Sequence, residues 1–300
     1  MPATGIDWVP RKEVLTYEEM ERLLRILADL GVDKLRITGG EPLLRKGLLG
    51  FLERVRRDIP GIKTLNMTTN GVLTGRFLPR LLDLGLNTVN LSLDTLDRTR
   101  FQEITRRDEL PQVLETLEDL LAAGVRTKIN AVVMEGKNTQ DLVPLAAYTR
   151  EHPVEVRFIE EMPFNGGREE GPSLRWDHRR ILAELSQHFP GIHPISAGPH
   201  DTASRYQIPG HQGSVGIIAA FSRTFCGTCN RIRITPQGTL KTCLYDGGVL
   251  NLRDRIREGV SDEALITDLR RAFGNRARNG FEAERRREHH ISESMSSIGG

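Results

Sequence analysis

The three cysteines of this 300-residue chain are its clearest candidates for chemistry. Cys226, Cys229 and Cys243 are clustered, with two residues between the first pair and thirteen before the third. A clustered, odd-numbered set is typical of a metal or iron–sulfur site and not of a disulfide framework. Zinc would need a fourth protein ligand, either His211 or a more distant histidine. A [4Fe-4S] cluster on three thiolates leaves one iron free for a non-protein ligand, so the spacing favours a cluster and leaves zinc as the alternative.

Basic side chains beside the cysteines and on predicted strands indicate an anionic ligand. Arg231 and Arg233 follow the second cysteine at alternate positions, on one face of a predicted strand. Such a pair suits phosphate, although a solvated strand face is an equally good interpretation. Three further cations lie on polar strand faces: Arg36, Lys128 and Arg157. Buried cations need partners, which are either the carboxylates of Glu155 and Asp94 or a bound anion.

A glycine-rich turn, Gly39-Gly40-Glu41-Pro42, follows a strand predicted at residues 34–38. Ligands of α/β sheets and barrels bind at the carboxyl ends of strands. Glycines there let the backbone approach a ligand, and Glu41 could accept a hydrogen bond from a ligand ammonium group. A simple tight turn explains this tetrapeptide as well.

An alternation of helix, glycine and strand must position these residues. The apolar periodicity predicts helices from a capping box at Thr16 to Leu30 and at residues 48–57, 77–84, 110–123 and 142–151. It predicts strands at residues 34–38, 64–68, 88–93, 127–133 and 154–159. This order indicates a parallel sheet with right-handed crossovers. Each strand alternates apolar and polar residues, which favours an open barrel around a polar ligand over a sheet with one bare solvent face.

The pattern changes after Pro163, so we predict a partial barrel in residues 1–163 and a second domain in residues 164–300. The second domain should contain one helix before Phe189, strands at 214–218, 231–234 and 239–242, and a helix at 263–273. The 42 basic and 40 acidic residues nearly balance, which argues against a nucleic-acid-binding protein. The chain contains neither a long apolar run nor a secretory signal pattern, so we expect a cytoplasmic protein without a membrane partner.

Seven motifs together resemble one family. They are ITGGEPLLR (37–45), TTNG (68–71), VNLSLDT (89–95), KINAVV (128–133), RFIEEMP (157–163), FCGTCNRIRIT (225–235) and a terminal IGG. The chain resembles the GTP 3′,8-cyclase family, radical S-adenosylmethionine lyases that open molybdenum cofactor biosynthesis. The resemblance implies conversion of GTP to 3′,8-cyclo-7,8-dihydro-GTP by a 5′-deoxyadenosyl radical. It also implies an α/β fold: an incomplete (βα)6 TIM-like barrel, missing its first strand, with a C-terminal iron–sulfur domain.

The resemblance assigns roles to individual residues. S-adenosylmethionine would be contacted by Gly40, Glu41, Ser92, Asn130 and Met162. GTP would be bound by Arg36, Thr68, Lys128, Arg231 and Arg233. The three cysteines would hold a [4Fe-4S] cluster whose open iron binds the guanine ring, and Gly299 and Gly300 would act in catalysis. The implied partners are an electron donor, a downstream cyclic pyranopterin monophosphate synthase and a second copy in a homodimer.

The chain departs from the family at one point. The family's Cys-x3-Cys-x2-Cys motif, which holds the cluster that cleaves S-adenosylmethionine, ends directly before a Met-Pro that matches Met1-Pro2. We therefore expect this second cluster only in a full-length form, and no radical formation by the chain as written. A late start codon or a truncation is the favoured explanation. The alternatives are a degenerate non-catalytic GTP-binding iron–sulfur protein and a zinc-stabilised sugar-phosphate enzyme.

Overall fold

The computed structural model describes residues 9–162, 174–198 and 200–287, and its central element is an eight-stranded sheet. The strands are β1 Lys34–Ile37, β2 Thr64–Thr69, β3 Leu86–Ser92, β4 Arg126–Val133, β5 Glu155–Glu160, β6 His193–Ile195, β7 Ser204–Gln207 and β8 Ser214–Ile218. Their order in the sheet is β1-β2-β3-β4-β5-β8-β7-β6. The first five strands and β8 are parallel, and β7 pairs antiparallel with both β8 and β6. The predicted α/β class with a mostly parallel sheet is confirmed.

Ten α-helices accompany the strands in the described residues. They are α1 Tyr17–Asp29, α2 Leu48–Asp58, α3 Thr74–Asp83, α4 Arg98–Thr105, α5 Leu110–Ala122, α6 Leu142–Tyr148, α7 His178–His188, α8 Leu252–Arg257, α9 Asp262–Gly274 and α10 Gly280–Arg285. The predicted capping box of α1 is present, with the Thr16 side chain accepting from the Glu19 amide. No helix in this described part of the chain is both long and apolar enough to cross a bilayer.

The apolar strand faces pack against the helices and form the main core. Met67, Val89, Leu91, Ile129 and Val156 are all completely buried in this layer. They alternate with polar residues that face the other side of the sheet, as the sequence predicts. The helices therefore cover one face. The polar face borders the space that we call the lumen, and it carries the candidate site.

A second sheet packs onto the first helix of the chain. It has three antiparallel strands: β9 Arg233–Ile234, β10 Thr239–Lys241 and β11 Leu250–Asn251. Leu240 of β10 and Leu265 and Leu269 of α9 share one buried cluster with Leu23 and Leu27 of α1. The cysteine-bearing segment is therefore anchored to the N-terminal part of the chain by an apolar interface.

The structure adds elements to the prediction and shortens others. The strand predicted at residues 231–234 begins at Arg233, and the helix predicted at 142–151 ends at Tyr148. Helices α4, α8 and α10 and strands β6, β7 and β11 were not predicted. Strand β8 joins β5 in the main sheet, so this sheet includes strands from both sides of residue 163. The domain boundary at this residue stays a prediction.

Candidate functional site

The polar face of the main sheet carries two rows of side chains that the strand register places side by side. The first row runs across five strands: Thr68, Asn90, Lys128, Glu155 and Ser214. The second row lies about two residues further along the strands: Ser92, Asn130, Arg157, Gly216 and Arg205. Neighbours in parallel register point to the same face. Five of the predicted site and cation positions therefore lie together: Thr68, Ser92, Lys128, Asn130 and Arg157.

Glu155 is the ionic centre of these rows. Its Oε1 accepts a hydrogen bond from Arg157 Nε at 2.5 Å, and its Oε2 lies 3.5 Å from Arg205 Nε and 3.9 Å from Lys128 Nζ. Glu155, Lys128 and Arg157 are all buried. One carboxylate therefore faces three cations, and the predicted partner Glu155 is present. The other predicted partner, Asp94, instead accepts a hydrogen bond from the Val132 amide.

Further charges extend this group toward the cysteines. Arg36 interacts electrostatically with Arg157, Arg231 and Arg233, and Asp201 interacts with Lys128, Arg157 and Arg205. We call the eight residues the lumen charge network: Arg36, Lys128, Glu155, Arg157, Asp201, Arg205, Arg231 and Arg233. Six cations and two carboxylates give this network a net charge of about +4 when all are ionised. Such an excess of positive charge favours a polyanionic ligand.

Two cations of this network, Lys128 and Arg36, have lowered pKa values. Burial lowers the pKa of Lys128 to about 8, and the charge of Arg157 acts in the same direction while Glu155 opposes it. Arg36 stands on the edge strand and keeps solvent contact. The surrounding protein, followed by the charges of Arg231, Arg157 and Arg233, nevertheless lowers the pKa of Arg36 to about 10. A bound anion would favour the charged forms of both groups and so raise their pKa values.

Arg231 and Arg233 lie between the lumen and the cysteines. Burial lowers the pKa of both guanidinium groups, and the thiol of Cys229 interacts with each of them. Arg231 also donates to Thr202 Oγ1 at 3.2 Å. Although β9 begins only at Arg233, the two arginines remain close enough to repel one another. They are thus placed beside the cysteine cluster, as the sequence predicts.

The three cysteines are free thiols in one neighbourhood. All three are partly exposed, and burial raises the pKa of the Cys243 thiol, an effect that the charges of Cys226 and Cys229 reinforce. Three thiols are the donor set that an iron–sulfur cluster takes. In the described part of the chain, no three His, Cys, Asp or Glu side chains already converge as ligands of one metal ion. The three thiols fit a cluster by their chemistry, and the cluster stays a prediction.

Two arrangements hold the cysteine segment in place. Asp246 Oδ2 accepts hydrogen bonds from the amides of Thr242 and Cys243, both at 2.8 Å. Arg223, three residues before the first cysteine, has a positive φ of 56° and is buried. Its guanidinium carbon lies 3.6 Å from the Tyr245 ring centroid and 4.3 Å from that of Phe281, so it stacks against both rings.

Arg223 also connects the cysteine segment to helix α10. Its Nη1 lies 2.7 Å from Glu284 Oε2. A Cβ at Gly280 would lie 2.8 Å from Arg223 Cδ and 3.4 Å from Cys226 Sγ, so glycine allows the helix to approach this closely. Helix α10 is thereby fixed next to the first cysteine. Gly299 and Gly300, the predicted catalytic residues, lie outside the described residues.

Glu160 joins the end of β5 to the cysteine segment from the other side. This completely buried carboxylate accepts hydrogen bonds from the Ser222 amide and hydroxyl, at 2.7 and 2.8 Å, and from the His178 amide at 2.7 Å. Ser222 lies in the segment that leads to Cys226, and His178 is the first residue of α7. Met162, predicted to contact S-adenosylmethionine, packs near Cys243 in the same region.

Glu41 has structural partners in the free chain. Its Oε2 accepts from Thr69 Oγ1 at 2.8 Å and from the Asn70 amide at 2.9 Å, and its Oε1 accepts from the Leu43 amide. This carboxylate therefore ties the glycine-rich turn to the TTNG segment. Gly39 has a φ of 137°, which requires glycine, and Gly40 has open space around its Cβ position. The roles of Gly40, Glu41, Ser92 and Asn130 toward S-adenosylmethionine stay predictions.

Several residues of the site were not assigned from the sequence. Glu160 lies within the RFIEEMP motif, but neither it nor Arg223 could be given a role, because their partners are distant in the chain. Gly216 makes room for the ion pair, since a Cβ there would lie 3.2 Å from Arg157 Cγ and 3.4 Å from Glu155 Oε1. Strand alternation places Asn66 and Asn90 on the polar face, but alternation alone gives them no role.

Comparison with known proteins divides the chain into two matched regions. Residues 4–148 match the Radical SAM superfamily, and residues 154–281 match the family Molybdenum Cofactor Synthesis C. Two solved structures share the fold at low sequence identity, which is evidence for the fold alone. Streptococcus suis SuiB bound to S-adenosylmethionine has a TM-score of 0.56 at 16% identity, covering 78% of this chain and 55% of SuiB. Native anSMEcpe with bound AdoMet has a TM-score of 0.55 at 14% identity, covering 84% and 72%.

Curated relatives cover most of the chain. Mouse molybdenum cofactor biosynthesis protein 1 is 39% identical over 279 residues, which are 93% of this chain and 44% of the mouse protein. The chain spans about half the length of such relatives. GTP 3′,8-cyclase of Alkaliphilus metalliredigens (strain QYMF) is 40% identical over 261 residues, which are 86% of this chain and 79% of that enzyme. The chain therefore belongs to the GTP 3′,8-cyclase family within the Radical SAM superfamily.

Proposed function

We propose that this chain binds GTP and S-adenosylmethionine as part of a GTP 3′,8-cyclase, the enzyme of the first step of molybdenum cofactor biosynthesis. The observation that carries the proposal is the lumen charge network, with its net charge of about +4. A nucleoside triphosphate offers a comparable negative charge to these cations. Related proteins that carry the name GTP 3′,8-cyclase support this choice of triphosphate.

The proposed division of labour follows the two rows and the cysteines. Arg36, Thr68 and Lys128 hold the triphosphate, while Arg231 and Arg233 hold the nucleotide next to the cysteines. The S-adenosylmethionine contacts are Gly40, Glu41, Ser92, Asn130 and Met162. Ser92 is the last residue of β3, Asn130 lies in the second half of β4, and the other three follow the ends of β1 and β5. Parallel α/β folds bind their ligands at this edge.

The proposed cofactors supply the redox chemistry. Bound S-adenosylmethionine would supply a 5′-deoxyadenosyl radical that removes the 3′ hydrogen atom of GTP, and a [4Fe-4S] cluster on Cys226, Cys229 and Cys243 would supply an iron that orients the guanine ring. Radical formation takes a further cluster on thiolates other than these three. The proposed partners are an electron donor and a downstream cyclic pyranopterin monophosphate synthase.

Direct GTP binding tests the proposal. Each charge-assisted phosphate contact contributes about 1.5–3 kcal/mol, so loss of one should weaken binding by roughly ten- to a hundredfold. Lys128→Ala, Arg231→Ala and Arg233→Ala should each raise the GTP dissociation constant in calorimetry at fixed ionic strength, with iron content unchanged. Arg150→Ala, at an exposed position just after α6, is the matched control. Parent-like GTP affinity in all three variants would show that these cations are structural and that the lumen does not hold a triphosphate.

A further inference from the structure

Three asparagines on the polar face have buried carbonyl oxygens without a hydrogen-bond partner among the described residues: Asn66, Asn90 and Asn130, the last of which is predicted to contact S-adenosylmethionine. Asn66 on β2 is 2% exposed and Asn90 on β3 is 9% exposed, and the Oδ1 atom of each is unsatisfied. Their strand neighbours, such as Met67 and Val89, pack in the apolar core on the other side of the sheet. Both amides therefore face the lumen.

Two asparagines outside this polar face have side-chain oxygens that the protein itself satisfies. Asn87 Oδ1 accepts from the Leu65 amide at 2.8 Å, and Asn138 Oδ1 accepts from the Met134 amide at 2.8 Å. A buried acceptor without a partner is costly, and natural structures rarely keep one without a reason. Two such acceptors on adjacent strands indicate that a ligand supplies the missing donors.

The neighbours of these amides limit what that ligand group is. Asn66 is paired in register with Arg36, and Asn90 lies between Thr68 and Lys128. The same ligand must therefore satisfy the cations and the amide oxygens. Phosphate oxygens accept hydrogen bonds at neutral pH and cannot satisfy another acceptor. The amide oxygens consequently need a neutral donor located next to the phosphates, which in a nucleotide is a sugar hydroxyl or an amine of the base.

We propose that Asn66 and Asn90 are specificity-determining residues that accept hydrogen bonds from neutral donors on the nucleoside part of the bound triphosphate. This inference rests on the proposed function and deepens it, because it adds recognition of the nucleoside to the electrostatic binding of the phosphates. Cations alone would bind any triphosphate similarly. A buried acceptor rejects a ligand that lacks the matching donor, since the acceptor is then left unsatisfied.

Analogues that each lack one donor provide the test. Dissociation constants are measured for GTP, 2′-deoxy-GTP, 3′-deoxy-GTP and ITP, which lacks the 2-amine of guanine, with the parent chain and with Asn66→Leu and Asn90→Leu. The parent should bind GTP about three- to tenfold more tightly than at least one analogue. The leucine variants should bind GTP more weakly and lose that preference, and the affected analogue identifies the donor. Asn275→Leu, at an exposed helix end, should keep the parent pattern.

A second variant covers the case in which leucine impairs folding. Asn90→Asp retains an acceptor, so it should bind every triphosphate more weakly while keeping the preference of GTP over the analogue. S-adenosylmethionine affinity should be unchanged in the variants. Equal binding of all four nucleotides by the parent, or an unchanged preference in both leucine variants, overturns the inference while leaving GTP binding intact. A failure of the parent to bind GTP overturns the proposed function and this inference with it.

Discussion

GTP affinity should fall as the pH rises through 8, and Lys128 should be the cause. Burial lowers the pKa of Lys128 to about 8 in the free chain, with the charge of Arg157 acting in the same direction. A triphosphate bound next to the ammonium group favours its charged form and raises its pKa in the complex. Above pH 8 the free chain has lost this proton, so GTP binding must be accompanied by proton uptake.

The size of the effect follows from the pKa. Below pH 8 the ammonium is charged with and without GTP, so affinity should be nearly independent of this group. Above pH 8 each pH unit should weaken binding by up to about tenfold, equivalent to about 1.4 kcal/mol, until the group titrates in the complex as well. Between pH 7.5 and 9 the GTP dissociation constant should therefore rise by roughly tenfold.

Calorimetry in buffers of different ionisation enthalpy measures both the affinity and the protons taken up. Lys128→Arg keeps a charge throughout this range and should bind GTP without the pH-dependent loss, and it also reports any titration of the nucleotide itself. Arg150→Ala should behave like the parent. If the parent and Lys128→Arg lose affinity equally between pH 7.5 and 9, or if the parent takes up no proton at pH 8.5, Lys128 does not contact the triphosphate.

Three further predictions concern the segments around the lumen. Cys229→Ala should abolish the roughly four irons and the sulfide expected per anaerobically reconstituted chain; stoichiometric zinc without sulfide in the parent would contradict a cluster. Glu160→Gln should lower the free energy of unfolding by about 1.5–3 kcal/mol, because charged hydrogen bonds are lost, whereas Glu151→Gln on the surface should change it little in denaturant titrations. Arg223→Ala should accelerate amide hydrogen exchange in residues 280–285, while Arg285→Ala, at an exposed position of α10, should not; equal exchange in both variants would show that the stacking does not hold α10.

The first five parallel strands could be predicted to within two residues, because alternation marks each of them and a glycine precedes β1, β3 and β4. Helix α4 could not, because Phe101 is its one buried residue and gives no apolar periodicity. The pairing of β5 with β8 was also hidden, because more than fifty residues separate these strands and no local pattern encodes their register. Short antiparallel strands such as β6 likewise depend on their partners for stability.

The residue types of the site could be predicted from the sequence more fully than their partners. Alternation predicts that Lys128 and Glu155 share the polar face, and the register confirms it. It does not show that one carboxylate contacts three cations, because Arg205 comes from a strand that was not predicted. Arg223 was missed for a similar reason, since both rings that stack on it lie elsewhere in the chain.

The distance of each cation from Glu155 distinguishes a cation that the protein itself pairs from one that remains available to a ligand. Its close contact with Arg157, at 2.5 Å, provides a buried partner in the free chain, and the absence of a side chain at Gly216 leaves space for that pair. Lys128, at 3.9 Å, is held less closely and has a lowered pKa, so it gains more from a bound anion. Breaking the buried Glu155–Arg157 pair would destabilise the fold together with the site, because it leaves an uncompensated buried charge. Substitution at Lys128 acts mainly on the ligand, which is why this position distinguishes binding from folding.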